Sequence, residues 1–374
     1  MASRTPAEVF PPGEFIKDEL EERGWTQADL ARIMGRNAAS LNQVITGKVA
    51  VTPETAKQLS EAFGTSPEYW LHLDAAYRLA RSDPADSTIR KMARLHEIAP
   101  ISDMARRGWI EVSESVEDLE AQLCRFYMTS SLDEPPGLRS AARATPDGKS
   151  GAASIARLAW KYRAFHLAAA VPAEPHTERK LDSMVSDLRG LAKHPEELRR
   201  VPGILAQMGI RLVIIQHLPK SKIDGATLWP QDDSPVIALS LRYDRIDSFW
   251  HTLAHEISHV RNGDGECFDE DLVGMHRAEA TSEMEERADA EAAALLVTPQ
   301  QLDSFISCVR PYFSKEKIIQ FAHQVGVHPG IVVGQLQHRG EIPFSANREM
   351  LVKVRTHIID STVTDGWGHT PQLS

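Results

Sequence analysis

The stretch that most constrains this chain is His251-Thr252-Leu253-Ala254-His255-Glu256-Ile257-Ser258-His259-Val260, which contains His-Glu-x-x-His. Residues four apart share one face of a helix, so His255 and His259 can reach a single cation together. Glu256, one position on from His255, leans toward the same point. Two imidazoles beside a carboxylate that can take a proton from metal-activated water are the working parts of a zinc peptidase. Phe249, Trp250, Leu253, Ala254 and Ile257 give the segment an apolar face, so it is read as a partly buried helix. The competing reading is two solvated histidines on an amphipathic helix.

A catalytic zinc takes three protein ligands and keeps one position for water. The candidates for the third lie in the alanine-rich run Glu283 to Leu296, built of strong helix formers. Glu285 and Asp289 are four apart. In one arrangement Glu285 binds the metal and Asp289 accepts the free ring N–H of a ligand histidine, which fixes its tautomer and orientation. Glu286 is the alternative ligand, given a modest change of helix phase. Glu279 and Glu283 are weaker candidates, and all these acids can equally form a solvated face.

On these residues the chain resembles ImmA/IrrE-type metallopeptidases that carry an N-terminal Xre/HigA-like helix-turn-helix. In that family the zinc helix is followed by Glu-x-x-Ala-Asn/Asp-x-Phe-Ala, then Leu-Leu and a proline. Here the sequence is Glu285-Glu286-Arg287-Ala288-Asp289-Ala290-Glu291-Ala292, then Leu295-Leu296 and Pro299. The alignment favours Glu285 over Glu286. Glu291 stands where the family has an aromatic, and the proline comes one residue late. The resemblance implies a protein substrate, such as a transcriptional repressor cleaved under stress or during mobile-element induction. Arg242 to Trp250 resembles the long HigA-fused branch.

The fold expected is α+β and mostly helical: an all-α head, a zincin-like unit with a small sheet on the His-Glu-x-x-His helix, and a helical tail. In residues 13–81, Gly24 ends a first helix, Thr26 to Asp29 is a capping-box-like start, and Asn37 opens a third helix that stops at Gly47. Thr52-Pro53 and Ser66-Pro67 mark two more starts. Two short helices across a glycine turn make a helix-turn-helix. Asn37, Ser40, Asn42 and Gln43 offer small or amide side chains for base edges. Acids are absent from Leu30 to Pro53, while Arg36 and Lys48 are present for phosphates. Trp25 to Ala31, Ile45 to Lys48 and Ala62 to Leu71 resemble the HigA branch of antitoxin repressors, which implies operator DNA and a homodimer. A helical bundle for dimerisation alone is the plainer reading.

Residues 82–200 are read as a helical connecting region, with a mobile link near 128–154. Residues 201–298 are the catalytic core, with strands over Ile210 to Leu218, Ala226 to Trp229 and Val236 to Leu241. Asp224-Gly225 suits the turn between the first two. The edge of this sheet could hold substrate as an added strand. Tyr243 or Arg245 could steady an oxyanion, although an ion pair of Arg245 with Asp244 or Asp247 is preferred. In residues 299–360 three helices are expected, with His323 or His328 as candidates to polarise the scissile carbonyl. From about Ser361 the chain looks frayed.

Composition narrows the classes. Over 374 residues a net charge of −10 argues against broad polyanion binding but not against a local DNA-reading face. No apolar run is long enough to cross a membrane, and Met1 to Pro12 lacks a signal-peptide core. Cys124, Cys267 and Cys308 are sparse and scattered, as for reduced thiols in a cytoplasm. The cofactor expected is Zn2+, with Mn2+ or Fe2+ also suited to a His/His/Glu site. The partners expected are operator DNA and a protein substrate, a repressor or a toxin, with no membrane. The alternative is a HigA-like antitoxin whose peptidase-like unit binds or senses and does not catalyse.

Overall fold

The computed structural model describes residues 9–82, 87–133, 151–177, 181–230, 234–270 and 283–371. It is mostly helical with one small mixed sheet, and it divides into two compact units, Met1–Ser87 and Thr88–Ser374. No helix among the described residues is long and apolar enough to cross a membrane.

The first unit holds α1 (Pro12–Arg23), α2 (Gln27–Ile33), α3 (Ala38–Ile45), α4 (Pro53–Phe63) and α5 (Pro67–Arg81). Its punctuation is local. Gly24 and Gly64 close α1 and α4 in the left-handed region, at φ 66 and 72. Thr26 and Asp29 form a reciprocal capping box, and the side chains of Asn37, Thr52 and Ser66 cap α3, α4 and α5. Ile16, Leu20, Leu30, Leu41, Val44, Leu59 and Trp70 meet in one core. At Gly13 an added Cβ would lie 1.7 Å from the Ile45 carbonyl oxygen, so only glycine lets α1 approach α3 this closely.

The second unit begins with α6 (Ser87–Ile98), α7 (Ile101–Arg106), α8 (Val116–Phe126), α9 (Ala152–Ala168), α10 (Leu181–Leu191) and α11 (Val201–Ala206). Strands β1 (Arg211–Ile215), β2 (Ile223–Leu228) and β3 (Val236–Leu239) follow, then α12 (Ile246–Asn262) and β4 (Cys267–Glu270). The chain finishes with α13 (Glu283–Leu296), α14 (Pro299–Val309), α15 (Lys315–Val325), α16 (Pro329–His338), α17 (Arg355–Ile358) and β5 (Val363–Asp365). Among the described residues the strand order is β4-β2-β3-β1-β5. β1 runs parallel to β3 and β5, while β2 runs antiparallel to β3 and β4.

Both faces of the sheet are covered, which explains why β1 and β3 are continuous apolar runs. Leu212, Ile214, Ile237 and Leu239 pack with Phe249, Trp250, Leu253 and Ile257 of α12. Val213, Ile215, Val236 and Ala238 pack with Ala159 and Trp160 of α9 on the other face. The Trp160 indole donates to the Ile215 carbonyl at 3.1 Å.

Two expectations are corrected here, and a third lies largely outside the described residues. Asp224-Gly225 is not a turn but lies inside β2; the turn is made by Leu218 to Ser221, with Lys220 and Lys222 at positive φ. Val363 to Asp365, just past Ser361, are not frayed but form edge strand β5, because Asp365, fully buried, accepts from Trp109 at 2.9 Å and pairs with buried Arg163. Of the mobile link placed near 128–154, residues 134–150 lie outside the described residues, whereas Leu132 is buried and Arg94 bonds Asp133 at 2.9 Å.

Candidate metal centre

Helix α12 places the first two candidates. Its apolar stripe is pinned to the sheet, so the opposite positions are set without freedom. Gly263, at φ 65, ends the helix just beyond His259. His255 and His259 are both fully buried, with their Nε2 atoms 3.0 Å apart. Glu285 reaches them from α13, with Oε2 3.3 Å from His255 Nε2 and Oε1 3.9 Å from His259 Nε2. These three side chains offer ligand atoms within 4.8 Å of one another. Tetrahedral ligands about 2.0–2.1 Å from zinc lie about 3.3 Å apart, so the donor set fits such an ion. Glu286, the alternative ligand, is exposed and lies outside this group, as does Glu283; Glu279 lies outside the described residues.

The rear nitrogens are also held. His255 Nδ1 lies 2.9 Å from Asp289 Oδ1, and His259 Nδ1 lies 3.0 Å from Asp264 Oδ2. Both rings can therefore give Nδ1–H to a carboxylate and turn Nε2 toward the shared point. Asp264 was missed from sequence. It sits five residues past His259, beyond the helix-ending glycine, where helical spacing carries no information. Burial pushes its carboxyl up, but hydrogen bonds from Arg287 and His259 outweigh that and hold it below the usual carboxylate range. Glu291, where the resembled family has an aromatic, accepts from Ser258 and from Asn262 at 3.1 Å, and so fastens α13 to α12.

Glu256 is fully buried against β2. The Thr227 hydroxyl lies 2.8 Å from its Oε2. A Cβ added at Gly225 would come 2.2 Å from its Oε1, so the glycine makes room for this carboxylate.

The other candidates lie elsewhere. Arg245 forms a two-pronged pair with Asp247 at 3.0 and 2.5 Å. Asp244 instead accepts from the backbone N–H groups of Val354 and Arg355. Tyr243 accepts from Arg242 at 3.0 Å. His328 caps α16, with Nδ1 accepting from Gly330, and His323 is exposed; neither belongs to the metal group. His338, unassigned from sequence, is closer: its ring is 6.3 Å from that of His251, which in turn is 6.4 Å from that of His255. An apolar cavity of about 90 Å³ opens beside His251 and His338, walled by Leu296, Ile331 and Phe344.

In the first unit, Asn37, Ser40, Asn42, Gln43 and Lys48 are exposed. Arg36 is half-buried and donates to Gln58, while the Asn37 carboxamide oxygen is spent on the Ala39 N–H at 2.8 Å.

The helix-turn-helix family model matches residues 16–70. The HTH-type transcriptional regulator YddM of Escherichia coli is 38% identical over 72 residues, which is 77% of that protein and 19% of this chain. Antitoxin HigA-1 of Vibrio cholerae is 38% identical over 77 residues, 70% of that protein and 20% of this chain. The solved structure of Pseudomonas aeruginosa antitoxin HigA with the higBA promoter is 28% identical, covering 25% of this chain and 99% of that one, with a TM-score of 0.19. Through its N-terminal unit the chain belongs to the helix-turn-helix family of transcriptional regulators.

Proposed function

We propose that this chain is a DNA-binding transcriptional regulator whose second unit is a zinc-dependent endopeptidase of the zincin type. The observation that carries the peptidase reading is the convergence of His255, His259 and Glu285, with a separate carboxylate behind each imidazole. A zinc ion held there would act as a Lewis acid and lower the pKa of water toward neutrality. His255, His259 and Glu285 would hold the ion. Glu256 would take a proton from the attacking water and return a proton to the departing amine. Thr227 holds one oxygen of Glu256, so the carboxylate keeps one orientation through the cycle. The expected substrate is a protein, a repressor or a toxin, and Mn2+ or Fe2+ suits the same donors.

The head would bind operator DNA as a homodimer. This is supported by the likeness to HTH-type regulators and by the exposed amides of α3. The likeness to antitoxin HigA-1 favours a second reading, in which the body holds or senses a partner without cutting it.

Metal content and cleavage, measured together on purified protein, separate the two. Wild type and Glu256→Gln should each carry about one equivalent of metal, and Glu285→Ala should lose it. Glu256→Gln should cleave no polypeptide. A Glu256→Gln protein that cuts as fast as wild type would falsify the base assignment, and metal retained by Glu285→Ala would remove the third ligand.

A further inference from the structure

The metal centre leaves strand β4 without a task. It pairs antiparallel with β2, with Cys267 opposite Thr227, Phe268 opposite Ala226 and Asp269 opposite Gly225. β2 is the strand that touches Glu256, through Thr227 and Gly225. Its other edge is taken by β3, so β4 fills the remaining one. An extended polypeptide added at that edge would lie about 4.8 Å from β2, the strand whose Thr227 holds Glu256. Antiparallel addition to a sheet edge is how extended peptides are captured, with main-chain hydrogen bonds supplying affinity and side-chain pockets the choice of sequence.

We propose that β4 is a built-in substitute for substrate, occupying the polypeptide-binding edge of β2 until an extended segment of the target displaces it. This rests on the peptidase reading and names its substrate class: an unfolded, strand-forming segment with a large apolar residue in the place of Phe268. Phe268 packs against the cluster that contains Ala226 and Trp160, and that seat becomes the selecting pocket. The hinge is present. Gly265, at φ 81 with open space around its Cα, separates β4 from Asp264. The strand can swing away while Asp264 stays on His259. The pairing is also short and irregular, with a register shift between Ile223 and Gly225, so releasing it breaks few ladder bonds.

A reversible lock tests this on the full chain. In a background with Cys124, Cys267 and Cys308 changed to serine, Ala226→Cys and Phe268→Cys place two thiols on directly opposed residues, within disulfide reach. The probe is fluorescein-labelled β-casein, an unfolded polypeptide. In a Glu256→Gln version, reduction should tighten casein binding by about tenfold or more over the oxidised form. With Glu256 intact, reduction should speed casein cleavage by a similar factor. Equal binding in the two redox states, or none in either, overturns the proposal. Binding released by reduction without cleavage in either state upholds the strand's role and removes the peptidase reading instead. A variant without new thiols, Phe268→Ala, should bind casein more tightly than wild type; unchanged or weaker binding counts against the proposal.

Discussion

Asp264 Oδ2 lies 3.0 Å from Nδ1 of His259, and it reaches that nitrogen from the turn after α12 rather than from the helix that carries Glu285. The two candidate ligand histidines are thus steadied from two different segments. Arg287 bonds the other oxygen of Asp264, so the carboxylate is itself held. Replacing an outer carboxylate of this kind costs about 10–100-fold in metal affinity. Asp264→Ala should therefore weaken zinc binding by about that factor, measured by competition with a chromogenic chelator. Unaltered affinity would show that His259 needs no such support.

Gly225 bears on the proposed base and not on the proposed ligands. Gly225→Ala puts a methyl group 2.2 Å from Glu256 Oε1, and either β2 or the carboxylate must give way. Metal content should stay at the wild-type level while cleavage of casein falls by about tenfold or more, since a misplaced base forfeits much of its about 10²–10⁴-fold contribution. Full activity in the alanine variant would mean that Glu256 tolerates displacement.

The second unit should lose stability on mild acidification. Burial pushes His166 below the ordinary histidine value of 6.5, opposed by the Phe126 carbonyl contact and aided by the Arg163 charge. Burial moves His217 and His328 the same way. The unfolded chain then binds protons more readily than the folded one, and stability rises with pH wherever that holds. The contribution of the neutral rings is complete above 6.5 and is lost as pH falls below it. Thermal unfolding of chelator-treated protein should shift to lower temperature between about pH 7.5 and 5.5. His166→Gln should show a shallower drop than wild type, and an identical slope would clear His166 of the effect.

For the head, exposure separates the candidates. Gln43 is free to face a base edge, whereas the Asn37 carboxamide oxygen already caps α3. Gln43→Ala should weaken operator binding by about 1–3 kcal/mol and relax sequence preference. Lys48→Ala should weaken all sequences alike and reduce the salt slope by about one. Gel-shift titrations at several salt concentrations distinguish the two patterns.

What could be read from sequence followed the range of the interaction. Caps at Thr26, Asn37, Thr52 and Ser66 act within three residues, and each forms where its type and spacing place it. The i,i+4 spacing already set His255 and His259 on one face. Whether Glu285 or Glu286 meets them depends on helix phase, which packing of Ala288 and Ala292 decides. Asp264 escaped notice because it acts across a turn. Asp224-Gly225 was misread for a related reason: its glycine serves a carboxylate on another element, not a bend in its own backbone. β5 is three residues long and pairs in parallel with a strand far upstream, so no local pattern could betray it.

That last strand affects the order in which the molecule can assemble. β1 gains its outer neighbour only when Val363 to Asp365 emerges, roughly 150 residues after β1 itself. At about 5–20 residues per second, a ribosome leaves that edge bare for roughly 8 to 30 seconds, and Arg163 without Asp365 for roughly 10 to 40 seconds. The head, completed within its first 81 residues and closed by its own caps, carries no such delay. During each round of synthesis a finished helix-turn-helix therefore precedes a body that cannot yet close.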